Sequence, residues 1–170
     1  IHELVREGQE SVVQVVKDPI GSKGARLTTH LSIPSRVLVL LPFARSIGVS
    51  VRIEDEQERA RLKETMQRLA AERAFGYILR TNAEGVGEDS LRSDMEFLER
   101  LWSAVQEEMG RARVGERIYE DLPLALRCLR DSLRTHIEKV RIDSRETFER
   151  AHRFVAEFIP EFGDHLEHYP

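Results

Sequence analysis

The sequence predicts an α+β fold in which strands come first and a mixture of helices and strands follows. Three observations support this class. Residues 11 to 53 contain β-branched runs separated by turn residues, and the hydrophobic period changes from two to about 3.6 at residue 54. Residues 91 to 109 then carry a continuous apolar stripe at helical spacing.

The first strands form a predicted hairpin. Residues 11 to 17 (SVVQVVK) and 25 to 33 (ARLTTHLSI) are rich in β-branched residues, and one proline and two glycines lie between them. The connecting GSKG fits the GxxG loop of some RNA-binding modules, but that loop joins two helices. We therefore predict a hairpin turn there. Strands at 37 to 41 (VLVLL) and 49 to 53 follow a second turn at 34 to 36.

Helices alternate with strands in the remainder of the chain. We predict a helix over 54 to 73, a strand over 76 to 81, a helix over 122 to 135 and a strand over 137 to 142. The stretch from Asp143 to Glu146 (DSRE) predicts a helix N-cap with an acid three residues on, and Pro160 predicts the end of that helix. The stripe predicts a core-facing helix, and its members are Leu91, Met95, Leu98, Trp102, Val105 and Met109.

Composition limits the class of protein. Hydrophobic residues make up 41% of the 170 residues, and no apolar run approaches the roughly 20 residues of a membrane span. Because the first ten residues are charged throughout, we expect no signal peptide there. The single cysteine, Cys128, predicts a small buried side chain, no disulfide framework and a cytoplasmic location. The start at isoleucine and the end at Tyr169-Pro170 suggest part of a longer protein.

The charge is unevenly distributed. The net charge of −4 argues against a generally basic nucleic-acid binder, but residues 1 to 53 hold seven Lys/Arg against four Asp/Glu. This half leaves room for a local anion-binding surface. Lys23, at the predicted hairpin tip, is equally compatible with a phosphate contact and with a simple turn.

The residues themselves predict neither a catalytic group nor a metal site. His165 and His168 have the spacing of a helical metal pair without a third ligand nearby, so we interpret them as surface residues. The acids of 84 to 89 lack the spacing of a calcium loop and are typical of a helix start.

Arg80 and Thr81 form the most informative pair, because they follow a buried apolar strand and precede a loop rich in glycine and acids. A guanidinium is a planar fork of donors that matches phosphate oxygens, and the adjacent hydroxyl adds a further donor. The alternative is that Arg80 forms a surface ion pair with Glu84 or Glu88. The residues alone leave both interpretations open.

Four stretches resemble the bacterial ribonuclease E/G family, in register over nearly the whole chain. They are GQESVVQVVKDPIGSKGARLTTHLSIPSRVLVLLP, IGVSVRIEDEQERARLKE, GYILRTNAEGVGED and the VRIDSRETFERA and LEHYP of the C-terminal part. The resemblance implies a single-strand-specific endoribonuclease of RNA processing and decay that prefers RNA with a 5′-monophosphate end. It divides the chain into the end of an OB-fold RNA-binding domain (1–30), a mixed α/β 5′-sensor (31–124) and part of a ribonuclease-H-like subdomain (125–170).

The resemblance also implies roles for individual residues. By this resemblance, Arg80 and Thr81 bind the 5′-phosphate, together with the backbone N–H of Ser35. Val39 makes an apolar contact with the terminal base, and Lys23 contacts the RNA backbone. Ser35 departs from the glycine that ribonuclease E has there, which puts close backbone approach in question.

The family further implies catalytic magnesium, and zinc that links subunits of a homo-oligomer. The aspartates and cysteine motif that hold these metals are not expected within these 170 residues, so we expect the chain alone to be inactive. Two competing interpretations remain: a structural or protein-interaction fragment without a ligand, and a stand-alone OB-type single-strand binder. The few aromatic residues, 6%, weaken the second.

Overall fold

A computed structural model describes residues 6–132 and 137–169, and it confirms the α+β class. The eight strands of the described residues are β1 (Gln14–Lys17), β2 (Arg26–Thr28), β3 (Ile33–Pro34), β4 (Leu38–Leu41), β5 (Ile47–Val49), β6 (Gly76–Leu79), β7 (Val140–Ile142) and β8 (Leu166–His168). Their α-helices are α1 (Glu56–Leu69), α2 (Glu88–Arg111), α3 (Leu124–Ser132) and α4 (Arg145–Phe158). Short 3₁₀ helices span Thr81–Ala83 and Pro160–His165.

A four-stranded sheet of order β3-β4-β6-β5 organises the middle of the chain. β3, β4 and β6 pair antiparallel, whereas β5 and β6 pair parallel and are joined through α1. α1 packs against β5 and α2 against β4. One face of the sheet is therefore buried beneath helices, and Leu38, Leu40, Tyr77 and Leu79 have no exposed surface.

The N-terminal hairpin is confirmed. β1 and β2 pair antiparallel, and the GSKG segment forms their turn, in which Ile20 and Lys23 exchange two backbone hydrogen bonds of 3.1 Å. Gly21 has a φ of 59°, a conformation that glycine adopts without strain. The hairpin is tied to the main sheet by Gln14, whose side chain bonds the backbone of Ser32 at 2.9 and 3.0 Å.

Two predicted strand positions were wrong at their ends. The strand predicted at 49 to 53 lies at Ile47–Val49, because the Ser50 N–H donates to the Leu79 carbonyl at 2.8 Å and the chain then turns. Val51 in that turn is 86% exposed. The strand predicted to reach residue 81 ends at Leu79, and β8 was not predicted at all.

The predicted burial of Cys128 was also wrong, because the side chain is exposed. α3 is amphipathic, and the adjacent Leu129 is the residue that faces the core. One residue is a rotation of about 100° around a helix, which carries Cys128 to the solvent side. The part of the 122-to-135 helix prediction that falls on 133–136 lies outside the described residues.

A continuous core joins α2 to the C-terminal part of the described chain. The helix predicted to start at 143–146 is confirmed, and its N-cap is Ser144, one residue after Asp143, which accepts a hydrogen bond from the Thr147 N–H at 3.3 Å. Phe154 and Phe158 of α4 both pack edge-on or tilted against neighbouring rings, including Phe97 of α2 at centroid distances of 6.2 Å. The domain boundaries at 30 and 124 stay predictions. Residues on both sides of position 124 contribute to this one core.

Within the described ranges, no helix is both long enough and apolar enough to cross a membrane.

The stripe of α2 is confirmed as core, and Trp102 is only 2% exposed with Phe43 edge-on against its ring at 5.7 Å. Trp102→Ala should therefore lower the free energy of unfolding by about 3–5 kcal/mol in urea denaturation, because it leaves a large cavity. Val51→Ala, at an exposed apolar position, should change it by less than about 0.5 kcal/mol. An unchanged stability of the Trp102 variant would contradict the assignment of this face to the core.

Candidate nucleic-acid interface

The turn between β3 and β4 is the structural centre of the candidate site. Its loop residues are Arg36 and Val37, and the N–H of Ser35 donates to the carbonyl of Leu38 at 2.8 Å. Ser35 has no exposed surface, although its neighbours Pro34 and Arg36 reach solvent to different degrees. The polar groups of this turn must therefore find partners within the protein.

Asp94 of α2 supplies those partners from the core side. Its Oδ2 accepts from the Val37 and Leu38 N–H groups, each at 3.1 Å, and from the Ser35 hydroxyl. Burial raises the pKa of the Asp94 carboxyl, while these hydrogen bonds and the charge of Arg36 act in the opposite direction. The sequence contained a signal for this residue that we did not use: an acid three residues after Leu91, on the apolar stripe itself.

Arg80 holds the same turn from the other side. Its backbone N–H donates to the Val37 carbonyl at 2.8 Å, and its Nη1 donates to the Ser35 carbonyl. The predicted alternative, an ion pair with Glu84 or Glu88, is not formed in the part of the chain that the structure describes, where Glu88 pairs with Arg68 and Arg92. The Arg80 side chain is thus oriented by a carbonyl, and no carboxylate of residues 6–132 or 137–169 forms an ion pair with it.

Thr81 follows directly as the first residue of a 3₁₀ helix and is exposed. The loop after it is fixed by α1: Glu58 accepts from the Gly85 N–H at 2.8 Å, and Arg61 donates to the Val86 carbonyl at 3.0 Å. The hydrogen bond from Arg61 lowers the pKa of Glu58 to about 2. The segment that carries Arg80 and Thr81 is therefore anchored at both ends.

The hydroxymethyl group of Ser35 points away from the outer side of the turn. Its Oγ lies within hydrogen-bonding distance of both Asp94 and the Leu38 carbonyl, the latter at 3.0 Å, and its single proton is shared between these two acceptors. The Ser35 side chain thus does not obstruct approach from outside. Its backbone N–H is already used within the turn, so a phosphate oxygen there would have to share this donor with Leu38.

Val39 lies on the outer face of the sheet, opposite Ile78 of β6. Val39 is half-buried and Ile78 is 37% exposed, so together they form a small apolar surface. In the register of β4 and β6, Leu38 pairs with Leu79. Only Leu79 therefore separates Ile78, in the apolar surface, from Arg80. The structure therefore brings Ser35, Val39, Arg80 and Thr81 to the same end of two neighbouring strands.

Lys23 belongs to a different sheet. It is exposed at the tip of the β1–β2 hairpin, as its predicted place in the turn requires.

A second arginine, Arg130, contacts the turn and was not predicted from the sequence. Arg130 of α3 donates from Nη1 to the Pro34 carbonyl at 3.2 Å and pairs through Nε with Asp131 at 2.7 Å. Its side chain is only 7% exposed. Since 96 residues separate Arg130 from Pro34, no local pattern could have revealed the contact.

The described residues do not fit a metal site. Among residues 6–132 and 137–169, no group of three or more His, Cys, Asp or Glu side chains is placed to hold an ion. His165 packs against Phe162 and His168 against Phe148, at centroid distances of 5.3 and 5.5 Å. Neither magnesium nor zinc is therefore assigned to this part of the chain.

Comparison with known proteins identifies the class. The model of the ribonuclease E/G family matches residues 32–170. Ribonuclease G of Escherichia coli K12 is 50% identical over 169 residues, 99% of this chain and 34% of that protein, and ribonuclease G of Haemophilus influenzae gives the same values. Ribonuclease E of a Nostoc species is 34% identical over 155 residues, 91% of this chain and 22% of that protein. The chain belongs to the ribonuclease E/G family, and it spans about a third of the length of these ribonuclease G relatives.

The raised pKa of Asp94 makes a prediction about stability and pH. A carboxyl whose pKa is higher in the folded state than its unfolded value of about 4 binds more protons in the folded state. Its contribution to stability therefore falls as the pH rises from the unfolded pKa through the folded pKa. Asp94→Asn does not titrate. The free energy of unfolding of this variant, minus that of the wild type, should therefore increase as pH rises from about 4 to 7.

Urea denaturation at a series of pH values measures this difference. Asp89→Asn is the matched control, because Asp89 is exposed on the same helix. A difference for Asp94→Asn that stays constant, or decreases with pH, would show that burial does not dominate at this carboxyl.

Proposed function

We propose that this chain is the part of an endoribonuclease that senses the 5′-monophosphate end of single-stranded RNA. The observation that carries the proposal is the Arg80 guanidinium, which a backbone carbonyl orients and no carboxylate among the described residues neutralises. One of its donors is used by Ser35, and the remaining N–H groups of the planar fork suit phosphate oxygens. Thr81 adds an exposed hydroxyl beside it.

The apolar surface of Val39 and Ile78 supports the same proposal. A terminal nucleotide offers a phosphate and a flat base, and the base gains from contact with an apolar surface when the phosphate is held nearby. Val39 was expected from the family resemblance to contact the base. Ile78, its cross-strand partner, adds further exposed apolar surface at this point.

The proposal for the whole protein rests on the relatives, which bear the names ribonuclease G and ribonuclease E. We infer a cytoplasmic homo-oligomer that hydrolyses RNA with magnesium, and that acts in rRNA maturation and mRNA decay. In this arrangement the β1–β2 hairpin belongs to an OB-fold, and Lys23 faces the RNA backbone. The hairpin exposes Val13, Val15, Val16 and Leu27, which is consistent with a barrel that would cover part of this apolar surface.

The first test of sensing is Arg80→Ala. Charge-assisted hydrogen bonds contribute about 1.5–3 kcal/mol each, so the variant should bind 5′-monophosphate RNA about ten- to a hundredfold more weakly. Binding of the same RNA with a 5′-hydroxyl end should hardly change, because that end lacks the anion. Arg80→Lys should restore only part of the loss, since an ammonium keeps the charge without the planar fork.

Fluorescence titration of both RNAs at one fixed salt concentration measures these affinities. Arg111→Ala is the matched control, because it removes the same charge from an exposed arginine at the far end of α2. Equal losses for the two RNA ends in Arg80→Ala would mean that Arg80 contacts the RNA backbone generally. No preference for the monophosphate in the wild type would favour a structural or protein-interaction role.

The second test concerns cleavage. The purified 170-residue chain should not cut a single-stranded oligoribonucleotide with magnesium present, because the described residues offer no group of ligands for the ion. Gel analysis after prolonged incubation measures this. Cleavage that requires magnesium and scales with the protein concentration would contradict the expectation that the catalytic residues lie outside these 170 residues.

A further inference from the structure

The hydrogen bond that usually closes a two-residue hairpin is replaced at the β3–β4 turn by two charged side chains. In a closed turn, the N–H of Leu38 would donate to the carbonyl of Ser35. Here the Leu38 N–H donates to Asp94 Oδ2 at 3.1 Å and to the Ser35 hydroxyl oxygen at 3.3 Å, and the Ser35 carbonyl accepts from the Arg80 guanidinium. Asp94 and Arg80 therefore satisfy the two halves of one missing backbone hydrogen bond.

The local sequence does not favour this open turn. Two-residue hairpin loops prefer conformations with positive φ, which glycine and asparagine provide. Arg36 and Val37 occupy the loop, and neither has a positive φ. The conformation of the turn is therefore set by tertiary contacts, and three of them converge on a single oxygen of Asp94.

We propose that Asp94 is a positioning residue of the 5′-phosphate clamp, an inference that rests on the proposed function. By holding the Leu38 N–H, Asp94 leaves the Ser35 carbonyl free to fix the plane of the Arg80 guanidinium. Without the carboxylate, the Leu38 N–H closes onto that carbonyl and competes with Arg80 for it. Asp94 acts from the α2 side of the turn, and the nearby charge of Arg36 offsets its own.

The experiment compares the binding of 5′-monophosphate and 5′-hydroxyl forms of one single-stranded oligoribonucleotide. Asp94→Ala should reduce the ratio of the two affinities by about tenfold, through the monophosphate form alone. Asp94→Asn keeps an acceptor oxygen and the side-chain volume, so its ratio should lie between those of the wild type and Asp94→Ala. Asp89→Ala and Asp89→Asn, on the same helix, should keep the wild-type ratio.

Amide hydrogen exchange gives a local measurement that a general loss of stability would not reproduce. The Val37 N–H should exchange faster in both Asp94 variants, because it loses its partner or keeps a weaker one. The Ser35 N–H, which donates to Leu38, should keep its wild-type protection. If Asp94→Ala does not fold, Asp94→Asn and Ser35→Ala, which removes the hydroxyl donor to the carboxylate, take its place and should both lower the ratio.

The outcomes separate this inference from the function on which it rests. A wild-type affinity ratio in the folded Asp94 variants, together with a reduced ratio in Arg80→Ala, overturns the role of Asp94 and leaves the sensor intact. A wild-type ratio in Arg80→Ala overturns the sensor. In that case, unchanged Val37 exchange in the Asp94 variants would also show that the carboxylate does not set the turn.

Discussion

The need to pair the backbone polar groups of the β3–β4 turn governs the architecture around the candidate site. The turn lies against the core, where an unpaired carbonyl or N–H is costly. Charged side chains from α2, α3 and the residue after β6 meet this need, with arginines on two successive carbonyls and an aspartate on two successive N–H groups. These hydrogen bonds connect α2, α3 and the end of β6 to the same short turn.

The same pairing accounts for the chemistry left at the surface. An arginine engaged by a carboxylate would present little net charge to a ligand, whereas one engaged by a carbonyl keeps its full charge. Glu88, which the sequence offered as an ion-pair partner for Arg80, pairs with Arg68 and Arg92 instead. The acidic loop after Thr81 is likewise drawn towards α1 through Glu58 and Arg61. The chain is acidic overall, yet the turn keeps a local positive charge.

The predictability of the fold followed the range of the interactions that determine each element. The α2 stripe, the start of α4 and the first hairpin depend on neighbours a few residues apart, and the sequence predicted all three. β5 and β8 are short strands whose ends are set by partners far along the chain, so their positions were missed or misplaced. Of the candidate site residues, Arg80 was proposed from its residue type and the family resemblance, and this role stays a prediction. Asp94 and Arg130 act over 56 and 96 residues, distances at which a single sequence carries no pairing information.

The hydrogen bond from Arg130 to Pro34 has a consequence for the smallest piece of the chain that keeps this geometry. A chain ending at residue 124 would retain the whole four-stranded sheet, both of its packed helices and the Asp94 and Arg80 contacts. It would lose the donor to the Pro34 carbonyl, and that carbonyl would then have to bind water. The minimal unit with an intact turn is therefore longer than the sheet and its two helices suggest, because it extends through α3 as well.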